Sequence, residues 1–229
     1  MFFHRLLDIV SPRGCVVCGG RLSAREEHVC LSCQMVLPYT NMQRQPTDNA
    51  MVRRFFGQFA VGRAAALMRF VPQTPPARLV YAIKYGDGRE LAVWIGRWMA
   101  AICGPDFFSG IEGIAYVPLT PKRERWRGYN QCRLLARGIS QHTGLPLLDG
   151  LLLRNSFSGS QTQRRRSERM EAVEEVFSLA DGADFGGRHL LLVDDVMTTG
   201  ATLISCGRQL EKAGCRHISV LTLGLTGRW

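Results

Sequence analysis

The chain has 229 residues, 46% of them apolar, which is enough for a sizeable core and excludes a globally disordered polypeptide. No apolar run approaches the roughly 20 residues that span a bilayer, so no membrane span is expected, and without an export signal the expected location is cytoplasmic. The formal net charge of +10 is concentrated, with six basic residues and one acid over 121–137 and five and one over 154–169. That field suits polyanions such as phosphates or nucleic acid, although 26 arginines against three lysines equally fit a plain arginine-rich surface.

Residues 1–10 read as a short amphipathic helix, with Phe2, Phe3, Leu6, Leu7 and Val10 on one side. The module they open, residues 1–40, is turn-rich and carries Cys15-x-x-Cys18 and, after eleven intervening residues, Cys30-x-x-Cys33. Two residues between cysteines let both thiolates face one ion from a tight turn, and four thiolates close a tetrahedral shell. The expectation is a zinc-ribbon-like module holding a structural Zn2+ on Cys15, Cys18, Cys30 and Cys33. Such a closed shell leaves no open position for chemistry, and His28 is not needed as a ligand. A redox motif would need only one such pair.

Residues 41–56 read as a polar connection, and 57–229 as the main domain. Residues 64–70 fit a strand or a buried helix, and Pro72, Pro75 and Pro76 break the run. Leu79, Val80 and Ile83 have helical spacing over 77–85, and Leu91, Ile95, Trp98, Met99 and Ile102 continue it over 90–102. A buried strand over 114–119 is followed by a basic loop, then by an amphipathic helix over 129–143 stopped by Gly144. Strands are expected at 151–154, 176–179, 189–193 and 217–223, a helix at 202–213, and a polar, basic, mobile loop at 155–169. The alternation predicts an α/β fold with a largely parallel sheet flanked by helices.

Asp194 and Asp195 fall at the C-terminal end of the strand at 189–193, where open α/β sheets bind ligands. Two adjacent carboxylates are costly to bury unless donors or cations meet them. The small residues of Met197-Thr198-Thr199-Gly200-Ala201-Thr202 let backbone N–H groups converge on an anion at the next helix's N-terminus. Carboxylates for a diol beside a donor nest match a ribose 5-phosphate. The basic stretch PKRERWRGYNQ interleaves cations with Trp126 and Tyr129, which suits a pyrophosphate, a stacked single strand, or plain packing with solvated arginines.

The thirteen residues LLLVDDVMTTGAT resemble the signature with which type I phosphoribosyltransferases bind 5-phosphoribosyl-1-pyrophosphate (PRPP). Together with Tyr81-Ala-Ile-Lys84-Tyr85-Gly86, Val117-Pro118-Leu119, Arg127-Gly128-Tyr129-Asn130-Gln131, Leu153-Arg154 and Thr162 with Arg169, they resemble the ComF/GntX family over nearly the whole chain. That family joins an N-terminal zinc module to a phosphoribosyltransferase-like domain and is associated with DNA uptake in natural competence. It usually has an Asn soon after the position of Arg169, and residues 170–173 offer none.

The resemblance implies that Asp194 and Asp195 hold the ribose diol with Mg2+ nearby. It implies that Thr198, Thr199, Gly200, Ala201 and Thr202 cradle the 5-phosphate and that Val196 and Met197 belong to the same PRPP-binding stretch. Lys84 would reach a phosphate, while Arg127 and the arginines at 164–169 would neutralise pyrophosphate. It further implies transfer of the phosphoribosyl group to an acceptor chosen by a hood from residues 41–112 or the zinc module. The alternative is a non-catalytic, PRPP-sensing accessory protein that binds single-stranded DNA among competence proteins.

Overall fold

The computed structural model describes residues 13–155, 176–182 and 184–227. The helix expected at 1–10 and the arginines at 164–169 lie outside them. Four strands, β1 (Val61–Arg69), β2 (Gly113–Tyr116), β5 (His189–Met197) and β6 (His217–Leu225), form one parallel sheet in the order β1-β6-β5-β2. Strands β3 (Leu152–Arg154) and β4 (Phe177–Leu179) make a separate antiparallel pair. Among the described residues no helix is long and apolar enough to cross a membrane.

Period-two alternation sends neighbouring strand residues to opposite faces, and both faces are covered. Ala65, Leu67, Leu191, Val193, Leu221 and Leu223 join one buried cluster with α3 (Ala77–Tyr85), α4 (Arg89–Cys103) and α7 (Gln131–Thr143). Ala64, Ala66, Leu190, Leu192, Ile218 and Val220 join another with α2 (Ala50–Phe55) and α8 (Ala201–Lys212). The ambiguous run at 64–70 is therefore β1. Its small alanines pair with β6, a partner that periodicity alone does not reveal.

Three expectations change. Residues 41–56 hold a 3-10 turn (Met42–Arg44) and helix α2, capped by Asn49, whose Oδ1 accepts from the N–H groups of Met51 and Val52. Met51, Val52 and Phe55 are buried, so this stretch packs into the core instead of merely connecting. The basic loop after β2 contains α6 (Pro121–Arg127), begun by Thr120 as N-cap with Pro121 in the first turn and ended by Gly128 at φ 77°. Strand β5 also runs four residues further than expected, so Asp194 and Asp195 lie within it and Asp194 pairs with Thr222 of β6. The remaining helices are short: α1 (Leu31–Val36) in the cysteine module and α5 (Pro105–Phe108) after α4. At the end of α4, Ile102 is exposed, and the buried face is Leu91, Ala92, Ile95, Gly96, Met99 and Ala100.

Helices α4 and α7 touch through glycine. A Cβ on Gly96 would lie 2.1 Å from the Leu135 carbonyl oxygen, and one on Gly138 would lie 2.0 Å from that of Val93. Backbone cannot yield as a side chain end can. Gly96→Ala is therefore expected to destabilise the protein by about 2–3 kcal/mol, read from the urea midpoint. An unchanged midpoint would show that the two helices move apart freely.

Candidate functional site

Beyond the end of β2, strand β5 carries Asp194 and Asp195, both buried, at 8% and 6% exposure. The loop that follows is open: Thr198, Thr199 and Ala201 are exposed. Gly200 takes φ 83° at the N-cap of α8, a conformation that a side chain there would strain. Asp194 and residues 196–203 line a shallow cup at that helix N-terminus. The loop is held from behind by α2, where Arg54 Nε donates to the Thr199 carbonyl at 2.9 Å. Arg54 was not recognisable as part of the site, because its segment read as a polar connection.

Two elements meet Asp195. Lys84 Nζ of α3 lies 3.1 Å from Oδ1, and Gln131 Nε2, at the start of α7, donates to Oδ2 at 2.6 Å. Gln131 Oε1 in turn accepts from Arg127 Nη1, and the Arg127 guanidinium lies 5.8 Å from the centre of the Tyr85 ring. Arg127 Nε is buried with no partner among the described residues. Lys84, expected at a phosphate, is thus seated on a carboxylate. An ammonium finds its strongest partner in a buried anion, and α3 ends at the right height to deliver it.

Asp194 is met differently. Its Oδ1 accepts from the Asp195 N–H at 2.8 Å and from the Cys132 thiol at 3.3 Å. Burial, and then the negative charge of Asp195, raise its carboxyl to about 7. Burial, followed by the charges of the two aspartates, pushes the Cys132 thiol well above its ordinary range, so it is a neutral donor. Ligand atoms of Cys132, Asp194 and Asp195 all lie within 4.8 Å of one another. Cys132 carried no signal in the sequence beyond its place next to Gln131.

The motif Arg127-Gly128-Tyr129-Asn130-Gln131 builds the turn that delivers these groups. Gly128 ends α6 in the left-handed region. Tyr129 Oη lies 3.0 Å and 2.9 Å from the carbonyls of Ile83 and Gly86, tying the turn to the end of α3. Asn130 caps α7 through Oδ1, while its Nδ2 donates to the Val117 carbonyl at 3.1 Å. On the far side of this turn, α4, α7 and the cysteine module enclose a cleft of about 620 Å3. Its arginines are partly matched internally, Arg97 by Glu27 at 3.7 Å and Arg133 by Asp149 at 2.7 Å.

Cys15, Cys18, Cys30 and Cys33 come together, with all four sulfurs within 4.8 Å of one another and Cys18 and Cys30 3.8 Å apart. A tetrahedron with zinc–sulfur bonds of about 2.3 Å has edges of about 3.8 Å, so the donor set fits one tetrahedral ion. The Cys30 N–H donates to the Cys15 sulfur at 3.4 Å and the Gly20 N–H to the Cys18 sulfur at 3.3 Å. This module is welded to the core. Arg78 of α3 donates to the Val17 carbonyl at 2.9 Å, and His28 meets the Trp94 ring of α4 edge-on at 5.6 Å.

A family profile described as "Phosphoribosyl transferase domain" matches residues 132–225. Competence protein F of Haemophilus influenzae is 36% identical over 48% of this chain and 48% of its own length. Competence protein ComFC of Streptococcus pneumoniae is 33% identical over 47% and 45%. The chain thus spans about half the length of these curated relatives. DNA utilization protein YhgH of Escherichia coli strain K12 is 25% identical over 70% of this chain and 71% of that one. The cysteine cluster, the parallel sheet with helices on both faces and these likenesses agree: the sheet domain is of the phosphoribosyltransferase-like kind, and over about half its length the chain is similar to the ComF-type competence proteins.

Proposed function

We propose that the protein binds PRPP with Mg2+ at Asp194 to Thr202 and transfers its phosphoribosyl group to an acceptor, as a cytoplasmic component of competence-linked DNA uptake. One observation carries this reading: two buried carboxylates, 8% and 6% exposed, stand directly before an exposed threonine loop at a helix N-terminus. The ribose hydroxyls donate to Asp194 and Asp195, and the 5-phosphate accepts from the loop's N–H and hydroxyl groups. Mg2+, when bound, shares the charge of the carboxylates and the pyrophosphate. Arg127, whose Nε has no partner among the described residues, supplies a further donor at the same rim. The bond from ribose C1 to pyrophosphate breaks with its electron pair leaving on oxygen, and the acceptor forms the new bond. Holding charge and geometry is the protein's part, and no nucleophilic side chain is required. The four cysteines hold a structural zinc ion.

Calorimetric titration and a pyrophosphate-release assay with a panel of nucleobases test the proposal. PRPP is expected to bind with Mg2+ at least about tenfold more tightly than ribose 5-phosphate, and one base is expected to release pyrophosphate. Equal affinity for the two ligands, or none for PRPP, overturns the binding step. Tight binding with no turnover replaces the enzyme with a PRPP sensor.

A further inference from the structure

The threonine loop turns on one peptide bond, between Thr199 and Gly200. The Thr199 carbonyl accepts from Arg54 Nε of α2 at 2.9 Å, and Gly200 stands at φ 83°. Glycine takes either sign of φ at little cost, so this peptide has two orientations open to it. A peptide bond is planar and trans, which makes its C=O and N–H point in opposite directions. With the carbonyl drawn back to α2, the Gly200 N–H points away from α2. The cup opens on that side: among the described residues it is lined by Asp194 and residues 196–203, and by none of α2. In the flipped orientation the carbonyl oxygen would face the cup and repel an anion.

Helix α2 is built to hold that carbonyl still. Asn49 ties its start to β1, donating from Nδ2 to the Ala64 carbonyl at 2.8 Å, and Phe55 near its end is fully buried. A Cβ on Gly200 would lie 3.5 Å from Phe55 Cε1 and 3.7 Å from Arg54 Cγ, so the end of α2 is in contact with this turn. The neighbouring Arg53 is engaged elsewhere, with Asp48 at 2.9 Å. We infer that Arg54 is a positioning residue for the 5-phosphate. It latches the Thr199–Gly200 peptide with its N–H toward the cup, so a ribose 5-phosphate meets a donor nest that is already formed. Without the latch the peptide divides between two orientations, and the apparent affinity falls by the fraction that faces the wrong way. The inference rests on the PRPP reading of this site. It adds to the LLLVDDVMTTGAT stretch a residue 145 positions before Thr199 in the chain.

Two variants of the whole protein separate the donor from the charge. Arg54→Gln places a neutral N–H donor at the same distance along the side chain as Arg54 Nε, and Arg54→Met places a methyl group there. Each is titrated calorimetrically with ribose 5-phosphate, PRPP and pyrophosphate, all with Mg2+. Arg54→Met should weaken ribose 5-phosphate and PRPP by the same factor, at least about tenfold, the loss expected for one donor to a charged group. Its pyrophosphate affinity should stay within about threefold of the parent, which also guards against misfolding, since one exposed charge contributes little. Arg54→Gln should stay within about threefold of the parent for all three ligands, because the donor remains. The inference is overturned by a Met variant that binds ribose 5-phosphate like the parent. A Gln variant as weak as the Met variant also overturns it, since Arg54 would then act on the phosphate by charge and not through the peptide. So does an equal loss for pyrophosphate. Each of these outcomes leaves the PRPP reading standing, whereas a parent protein that binds neither ribose 5-phosphate nor PRPP overturns that reading and the inference with it.

Discussion

Asp194→Asn should abolish PRPP binding and at the same time make the protein harder to melt above pH 7. Both effects come from one feature, a carboxylate buried beside another carboxylate. The ordinary aspartate value is 3.8, and in the fold it is raised to about 7 by burial and by the charge of Asp195. A raised carboxyl favours the folded state while it is protonated. That contribution is complete below about pH 4 and is lost as pH climbs to about 7. Above 7 the fold carries two neighbouring buried anions, with Lys84 seated on only one of them. Asparagine keeps the oxygen that accepts from the Asp195 N–H and the Cys132 thiol, but removes the charge. The expected gain at pH 8 is about 2 kcal/mol, or roughly 4–8 °C in melting temperature, shrinking to nothing near pH 4. PRPP affinity should fall at least about 100-fold, because the amide offers a weaker acceptor to the ribose diol and no charge to the metal. Asp195→Asn should lose affinity in the same way without the stability gain, since it strips Lys84 of its partner. Melting curves at pH 5 and 8 beside PRPP titrations decide the matter. A variant that binds PRPP normally, or that gains no stability at pH 8, would show that Asp194 is not held against its charge for a ligand's sake.

What the sequence made legible followed the periodic signal. Helix α3 was bounded by Pro75 and Pro76 before it and Gly86 after it, with Leu79, Val80 and Ile83 marking its inner face, and its observed limits match. The carboxylate pair and threonine loop were legible because their residue types are costly together unless a ligand meets them. Helix α6 read as a loop because it buries nothing, so there was no apolar stripe to detect; only its caps, Thr120 with Pro121 and Gly128, announce it. Helix α2 was obscured by polar neighbours, although Asn49 followed by Met51, Val52 and Phe55 is a cap followed by a buried face. The contacts of Lys84 and Cys132 were beyond reach for another reason. Each depends on α3 or α7 meeting β5 across a long stretch of chain, and neither residue has a local pattern that fixes its partner.

Removing the ion proposed for the four cysteines should loosen far more than the module that holds it. Cys15, Val17, Leu22, Val29, Cys33 and Leu37 belong to the same buried cluster as Leu79, Val80 and Ile83 of α3 and Leu91, Ile95 and Met99 of α4. Short segments such as 13–40 have too little core to stand alone, so the ion's binding energy is folding energy for them. Without it, sulfurs lying within 4.8 Å of one another must spread or protonate, and the Val17 carbonyl that accepts from Arg78 shifts with them. The disturbance then reaches α3, whose far end seats Lys84 on Asp195. Chelation, or Cys33→Ser, is expected to lower the melting temperature by at least about 10 °C. In hydrogen exchange, the amides of α3 and α4 should lose protection together with those of the module, while the β5 and β6 amides hold theirs longest. Exposure of the module alone, with α3 and α4 still protected, would mean that the cysteine cluster is an appendage and not a wall of the core.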